Sequence, residues 1–158
     1  IIENTNDEES LRRIINFPPR GIGQTTLDKL NILSNEHNVS MFEAISIINK
    51  SSKLFNQRTT QKLEDFKNLI ESFKIFSSKN NAYETTNLVI HKTRLIDFYR
   101  NEGTLESMNR IENIEELLNG VNDFIDQQIE IFEGDNSLSK YLQDVALYSE
   151  TDKDIHSS

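Results

Sequence analysis

Residues 16–28 read NFPPRGIGQTTLD and contain both prolines and two of the five glycines of the 158-residue chain. A residue that precedes proline is pushed out of the α region, so a helix that enters this stretch must end at Phe17. Apolar residues at helical spacing occur on both sides of the stretch. We therefore predict a tight connection between a helix over about residues 7–16 and a second helix that begins near Gln24.

The rest of the chain shows the same periodicity, with apolar residues three and four positions apart in most segments. The longest periodic segments are 57–77 and 105–132, and Ser40 opens a capping box that starts a third helix. We predict an all-α fold of about eight helices, as one helical subdomain over residues 1–150 with a polar tail at 151–158. The remaining predicted helices span about 83–92, about 94–102 and a final segment capped by Ser137.

Most of these helices, including the last one, are expected to turn an apolar face inward, because residues that recur every three or four positions share one side of a helix. The face of the 105–132 helix comprises Ile111, Ile114, Leu117, Leu118, Val121, Phe124 and Ile125. The face of the last helix comprises Leu138, Tyr141, Leu142 and Val145.

The composition is that of a globular protein and excludes several kinds of site. The chain has no cysteine, so it can form neither a disulfide framework nor a thiolate metal site. No apolar run approaches the roughly 18 residues of a membrane span, so we expect a cytoplasmic protein with no membrane partner. His37, His91 and His156 lack ligand spacing, and neither a nucleophile pattern nor a phosphate-binding loop for ATP occurs. We expect no catalytic residue, no metal site and no cofactor within this chain.

Charge is distributed unevenly along the chain, whose formal net charge is −9. Residues 102–135 contain ten carboxylates and one arginine, whereas residues 10–30 contain four basic residues and one aspartate. A contact with a phosphate is therefore electrostatically favourable near the glycine-containing stretch and unfavourable in the acidic segment.

The stretch between the first two helices has the layout of a helix-hairpin-helix that binds a phosphate. Gly21 and Gly23 can adopt positive φ and leave no side chain in the way, so backbone N–H groups can approach a phosphate oxygen, while Ile22 is expected to anchor the turn in the core. The second helix adds its unpaired N-terminal N–H groups and the positive end of its dipole. Such contacts hold the nucleic-acid backbone and read no base sequence. The predicted phosphate-contacting residues are Arg20, Gly21, Ile22, Gly23, Gln24, Thr25, Thr26 and Lys29.

Two stretches resemble motifs of the UvrD/PcrA/Rep group of superfamily 1 DNA helicases. Residues 16–23 (NFPPRGIG), followed by TLD at 26–28, resemble the element N-x-P-x-R-G-I-G…T-L, and residues 110–117 (RIENIEEL) resemble R-x-E-N-I/L-E-E-L. They occur in the same order and at a similar separation as in subdomain 2B of those enzymes, and the resemblance covers about residues 3–150. It implies an all-helical subdomain inserted into the second motor domain, whose Gly-Ile-Gly hairpin grips duplex DNA and whose position regulates unwinding.

The resemblance also implies properties of a longer parent protein. The parent would be an ATP- and Mg-dependent helicase that moves 3′ to 5′ in DNA repair or replication. Its partners would be double-stranded DNA, the remaining helicase motor domains and repair proteins. The nucleotide-binding loop, the Mg-binding acidic motif and the arginine fingers are missing from this sequence, so the chain itself is not expected to hydrolyse ATP. Thr25 stands where relatives often carry a basic residue.

Three other interpretations compete with this one. The Gly-Ile-Gly turn is also compatible with a plain connection between helices. A helix-hairpin-helix DNA glycosylase would need an Asp about twenty residues beyond the hairpin, and the window 41–50 contains Glu43 but no Asp. A protein-interaction adapter would instead use the acidic long helix to bind a basic partner.

Overall fold

A computed structural model of the chain describes residues 1–51 and 54–156. These residues form eight α-helices and one 3₁₀ helix, with no β-strand among them, which confirms the all-α prediction. None of the helices in the described ranges has the length and apolar character that a membrane span requires. In chain order the elements are α1 (Glu8–Ile14), α2 (Gln24–His37), α3 (Met41–Ala44), the 3₁₀ helix (Ile45–Ser51), α4 (Gln57–Ser77), α5 (Ala82–Lys92), α6 (Leu95–Glu102), α7 (Leu105–Glu130) and α8 (Leu138–His156).

The chain divides into two compact units, an N-terminal unit of residues Ile1–Lys74 and a C-terminal unit of residues Ile75–Ser158. In the N-terminal unit α3 packs against α1 and α2. The backbone N–H of Met41 donates to Glu8 Oε1 at 3.2 Å, which ties the start of α3 to α1. The buried apolar side chains of this unit are Leu11, Ile15, Ile22, Leu27, Leu30, Leu33, Met41, Phe42, Ala44, Ile45, Ile48, Phe55, Leu63, Phe66, Ile70 and Phe73.

In the C-terminal unit α5 packs against α6, α7 and α8, and α6 packs against α7. The backbone N–H of Ala82 donates to the carbonyl of Asn136 at 2.8 Å, which joins the start of α5 to the segment before α8. The Phe124 and Tyr141 rings pack edge to face with their centroids 5.4 Å apart. The buried apolar side chains of this unit are Ala82, Ile90, Val121, Phe124, Ile125 and Leu138.

Helix starts that have a side-chain cap were predicted well, because a cap depends on residues only three positions apart. The capping box predicted at Ser40 is present. The Ser40 hydroxyl accepts a hydrogen bond from the Glu43 N–H, and Glu43 Oε2 accepts one from the Ser40 N–H. The Ser137 hydroxyl accepts from the N–H of Lys140 at 3.2 Å at the start of α8. The predicted third helix is divided, however, into α3 and the 3₁₀ helix. Helix α8 also continues to His156, through most of the predicted polar tail.

The predicted apolar faces of α7 and α8 are only partly buried. Val121, Phe124 and Ile125 are buried as expected, but Leu117 is 45% exposed. Leu142 and Val145 are each 46% exposed, so the prediction that they point inward is wrong. Periodicity identifies residues that share a helix face, but only the packing of other elements decides whether that face is covered.

Candidate nucleic-acid interface

The connection between α1 and α2 lies where the prolines and glycines predict it. Helix α1 ends at Ile14, and the N–H of Phe17 donates to the Ile14 carbonyl at 3.1 Å. The Phe17–Pro18 peptide bond is cis. Helix α2 begins at Gln24, as predicted.

The Asn16 side chain organises this connection. Its Oδ1 accepts hydrogen bonds from the backbone N–H of Arg20 at 2.8 Å and from that of Ile22 at 3.1 Å. The Ile22 side chain is only 1% exposed, which confirms that it anchors the turn. Gly21, between these two residues, is exposed and has φ +70°, a conformation that favours glycine. The buried Ile22 side chain and the Asn16 side-chain amide therefore hold the loop in place.

Gly23 does not use the positive φ that a glycine permits. Its φ is −88° and its ψ 178°, so of the two glycines that can adopt positive φ only Gly21 does so. Gly23 is extended because it is the N-cap of α2, a position where residues adopt the β region. A Cβ built at Gly23 meets no atom within 4 Å, so the missing side chain leaves open space directly before the helix.

The N-terminus of α2 presents backbone donors. The Gly23 carbonyl accepts from the N–H of Thr26 at 3.0 Å and from that of Leu27 at 3.2 Å, and Gly23 has no side chain to cap the first turn. Within residues 1–51 and 54–156, the N–H groups of Gln24 and Thr25 have no protein acceptor. Such groups at a helix start form an anion-binding arrangement, because they coincide with the positive end of the helix dipole.

The remaining predicted contact residues of α2 differ in whether their side chains are exposed and free to contact a phosphate. Thr25 and Lys29 are exposed, and Thr26 is half-buried. The Gln24 side chain is already engaged, since its Nε2 donates to Asp28 Oδ1 at 2.8 Å.

Arg20 has contacts within the protein that the sequence did not predict. Its Nη1 donates to the carbonyls of Ile14 at 2.8 Å, Ile15 at 3.3 Å and Phe17 at 3.1 Å, at the C-terminal end of α1. Its Cζ lies 5.5 Å from the centroid of the Phe66 ring, in the range of a cation–π contact. Burial lowers the pKa of Arg20 from its ordinary value. In this arrangement Arg20 caps α1 and joins the connection to α4.

Lys62 of α4 is the residue near this connection that sequence reasoning missed. Its Nζ donates to the Gly21 carbonyl at 3.1 Å, although the two residues are 41 positions apart. No local motif could identify this contact, because it depends on how α4 packs. Arg20, Lys62, Asp65, Phe66 and Leu69 line an open cavity of about 310 Å³ beside the connection.

The acidic segment has no comparable arrangement. Glu112, Glu115 and Glu116 on α7 are exposed, and Arg110 forms an ion pair with Glu106 at 3.4 Å. In the part of the chain that the structure describes, no group of three His, Asp or Glu side chains is placed to hold a metal ion.

Comparisons with known proteins identify relatives of the chain. All of it, residues 1–158, matches the family model of the UvrD-like helicase C-terminal domain. It is 31% identical over 153 residues to the ATP-dependent DNA helicase PcrA of Staphylococcus aureus (strain Mu50 / ATCC 700699), an overlap of 97% of this chain and 20% of the relative. It is 32% identical over 125 residues to DNA helicase II of Haemophilus influenzae, an overlap of 79% of this chain and 17% of the relative. The chain thus spans about a fifth of the length of the curated relatives it matches.

Proposed function

Because this chain belongs to the UvrD-like helicase C-terminal domain family, we propose that it is the duplex-binding, regulatory subdomain of a 3′–5′ ATP-dependent DNA helicase. The proposal treats residues 1–150 as one subdomain of the 2B type. Its task is to hold the DNA backbone while unwinding is driven elsewhere in the parent protein, in DNA repair or replication. The resemblance of residues 16–23 and 110–117 to subdomain 2B motifs supports this assignment.

The observation that carries the proposal is the open N-terminus of α2 beside a rigid turn. Asn16 and the buried Ile22 hold the turn, and Gly23 leaves open space in front of the free N–H groups of Gln24 and Thr25. A phosphate oxygen fits such a position because the backbone donors and the helix dipole both favour an anion.

The proposed contacts recognise the DNA backbone and not its sequence. Backbone N–H groups of Gly21, Gly23 and the first turn of α2 bind the phosphate, and Thr25, Thr26 and Lys29 add side-chain donors nearby. Ile22 takes part through its anchoring role. Arg20, predicted as a contact, contributes by holding the turn against α1 and α4 through its Nη1 and its stacking on Phe66.

ATP and Mg are proposed for the parent protein and not for this chain. The sequence has no phosphate-binding loop, and the described residues offer no cluster of metal ligands. The matched relatives are DNA helicases about five times as long, and PcrA is named as ATP-dependent. We therefore assign nucleotide chemistry to the remaining motor domains, which are proposed partners together with duplex DNA and repair proteins.

The test compares two pairs of glycine substitutions. Gly21→Ala/Gly23→Ala adds two methyl groups at the proposed phosphate site. Gly103→Ala/Gly120→Ala is its matched control, because Gly103 also has positive φ (+64°) and Gly120 also has open space around it. Duplex binding by the 158-residue chain is measured by fluorescence anisotropy, with thermal unfolding as the check that each variant folds.

We expect the hairpin pair to weaken duplex binding by more than about tenfold and the control pair to change it by less than about twofold. Two duplexes of unrelated sequence should bind the wild-type chain equally, and binding should weaken steeply as salt is added. Equal losses in the two variants, or strong preference for one duplex sequence, would contradict the proposal.

The exposed carboxylates of α7 favour a second candidate function, a protein-interaction surface for a basic partner. This role is compatible with the first, because a regulatory subdomain can bind DNA on one surface and a protein on another. Neutralising Glu112, Glu115 and Glu116 to Gln should abolish such protein binding and leave duplex binding intact. The family match over the whole chain leaves no reason to propose a glycosylase.

A further inference from the structure

Lys62 is held beside the hairpin by the packing of α4. The next residue, Leu63, is fully buried, and Phe66 one turn further along is 2% exposed, so the register of the helix is determined by the core. Lys62 itself is half-buried, and its Nζ lies 3.1 Å from the Gly21 carbonyl oxygen. A side chain at Gly21 would meet this ammonium group directly. The positive charge is therefore located on the turn itself.

The ammonium group retains capacity to bind an anion. A lysine has three N–H donors, and the Gly21 carbonyl uses one of them. The five ion pairs among the described residues do not include Lys62. Asp65, which lines the same cavity, accepts from Gln61 Nε2 at 2.9 Å. Neighbouring Arg20 differs, because its Nη1 is directed at three backbone carbonyls.

Lys62 contacts the turn close in the chain to the start of α2. Gly21, which Lys62 contacts, precedes the N-cap Gly23 by two residues, a length of at most about 7 Å of chain. Successive phosphates on one DNA strand are spaced by about 3.4 Å along the helix axis, so two of them fit within this range. One anion at the N–H groups of α2 therefore leaves the next within reach of the ammonium group.

Resting on the function proposed above, we infer that Lys62 is a second phosphate-binding group of the same site. Its ammonium contacts the phosphate that follows the one held at the N-terminus of α2, while its bond to the Gly21 carbonyl keeps the turn in place. A cation supplied by a distant helix thus adds charge to a hairpin whose closest arginine is engaged by backbone carbonyls.

The experiment measures how duplex affinity depends on salt for three variants of the 158-residue chain. Lys62→Gln removes the charge, Lys62→Arg retains it, and Lys67→Gln is the matched control. Lys67 is also half-buried on α4, but it does not line the cavity. The affinity of each variant is measured between about 50 and about 200 mM salt. Thermal unfolding shows whether each variant keeps its fold.

We expect Lys62→Gln to make the slope of log affinity against log salt shallower by about 0.9, the effect of one lost phosphate contact. Its affinity should fall about threefold to tenfold at about 50 mM salt. Lys62→Arg should restore the slope, and Lys67→Gln should match the wild-type chain.

The other outcomes are distinct. Weaker binding by Lys62→Gln with an unchanged slope would show that Lys62 only clamps the turn, because the lost contact would then be uncharged, and the inference would fail. Binding identical to wild type would also overturn it, and either result leaves the proposed function standing. Absence of duplex binding by the wild-type chain would overturn the proposed function and this inference together.

Discussion

The N-terminal and C-terminal units are similar in length but differ in charge. Residues 1–74 contain ten basic and ten acidic side chains, whereas residues 75–158 contain seven basic and sixteen acidic ones. The whole net charge of −9 thus belongs to the C-terminal unit. The unit that carries the proposed phosphate site is neutral, so a polyanion can approach it without net repulsion from its own charges.

The two units also differ in how they bury their apolar side chains. Among the described residues, sixteen apolar side chains are buried in the N-terminal unit and six in the C-terminal unit. Exposed large apolar side chains show the reverse pattern in the part of the chain whose side chains the structure describes: Phe17 and Ile32 are exposed in the N-terminal unit, against eleven in the C-terminal unit, where Phe132 is 92% exposed. The difference indicates that side-chain burial contributes more to the stability of the N-terminal unit than to that of the C-terminal unit.

The largest expected effect comes from one substitution made in both units. Leu30→Ala removes a fully buried side chain of the N-terminal unit and should lower the free energy of unfolding by about 2–5 kcal/mol. Leu117→Ala on α7 removes a side chain that is 45% exposed and should cost about 0.5 kcal/mol or less. Urea denaturation measures both values. If Leu117→Ala lowered the free energy of unfolding as much as Leu30→Ala, side-chain burial would not distinguish the two units.

An intermediate effect is expected from backbone fit in the C-terminal unit. A Cβ at Gly134 would collide with the backbone carbonyl of Gln128, so Gly134→Ala should cost about 1–3 kcal/mol. Gly120→Ala is the control, because it lies within α7 with open space around it and should stabilise the helix by about 0.5–1 kcal/mol. Thermal unfolding of both variants checks the signs. If both variants changed the unfolding temperature in the same direction, the close approach of Gly134 to the Gln128 carbonyl would not matter for stability.

The smallest expected effect concerns two aspartates, one in each unit. Hydrogen bonds from Ser10 lower the pKa of Asp7, and hydrogen bonds from Ser137 lower the pKa of Asp135. A lowered pKa in the folded state means that the charged carboxylate stabilises the fold above the unfolded value of 3.8, and that this stabilisation is lost as the pH falls through the folded value.

Asp7→Asn and Asp135→Asn should therefore be less stable than the wild-type chain at about pH 6 and approach it at about pH 3. Urea midpoints at the two pH values measure the difference in stability between each variant and the wild-type chain. Asn keeps one side-chain oxygen that accepts a backbone N–H, so the pH dependence of the difference reports the charge. A gap of constant size at both pH values would mean that the lowered pKa values do not contribute to folding stability.

Local sequence predicted the features that depend on a few neighbouring residues. The break before Pro18, the start of α2 at Gln24 and the capping box at Ser40 all agree with the structure. The positive φ that glycine permits occurs at Gly21. Gly23 is extended instead, because a helix N-cap adopts the β region whatever the residue, and the glycine leaves open space there. The predicted DNA contacts themselves remain predictions.

By itself, the sequence determined where most helices begin, which residues share a helix face and where the charge lies, since these follow from steric, capping and composition effects over a few positions. Tertiary structure decided what each face meets. It left Leu142 and Val145 exposed, placed Arg20 against Phe66 and brought Lys62 to Gly21. Such contacts join residues tens of positions apart, and only the packing of whole helices selects them, because a local pattern carries no information about the partner.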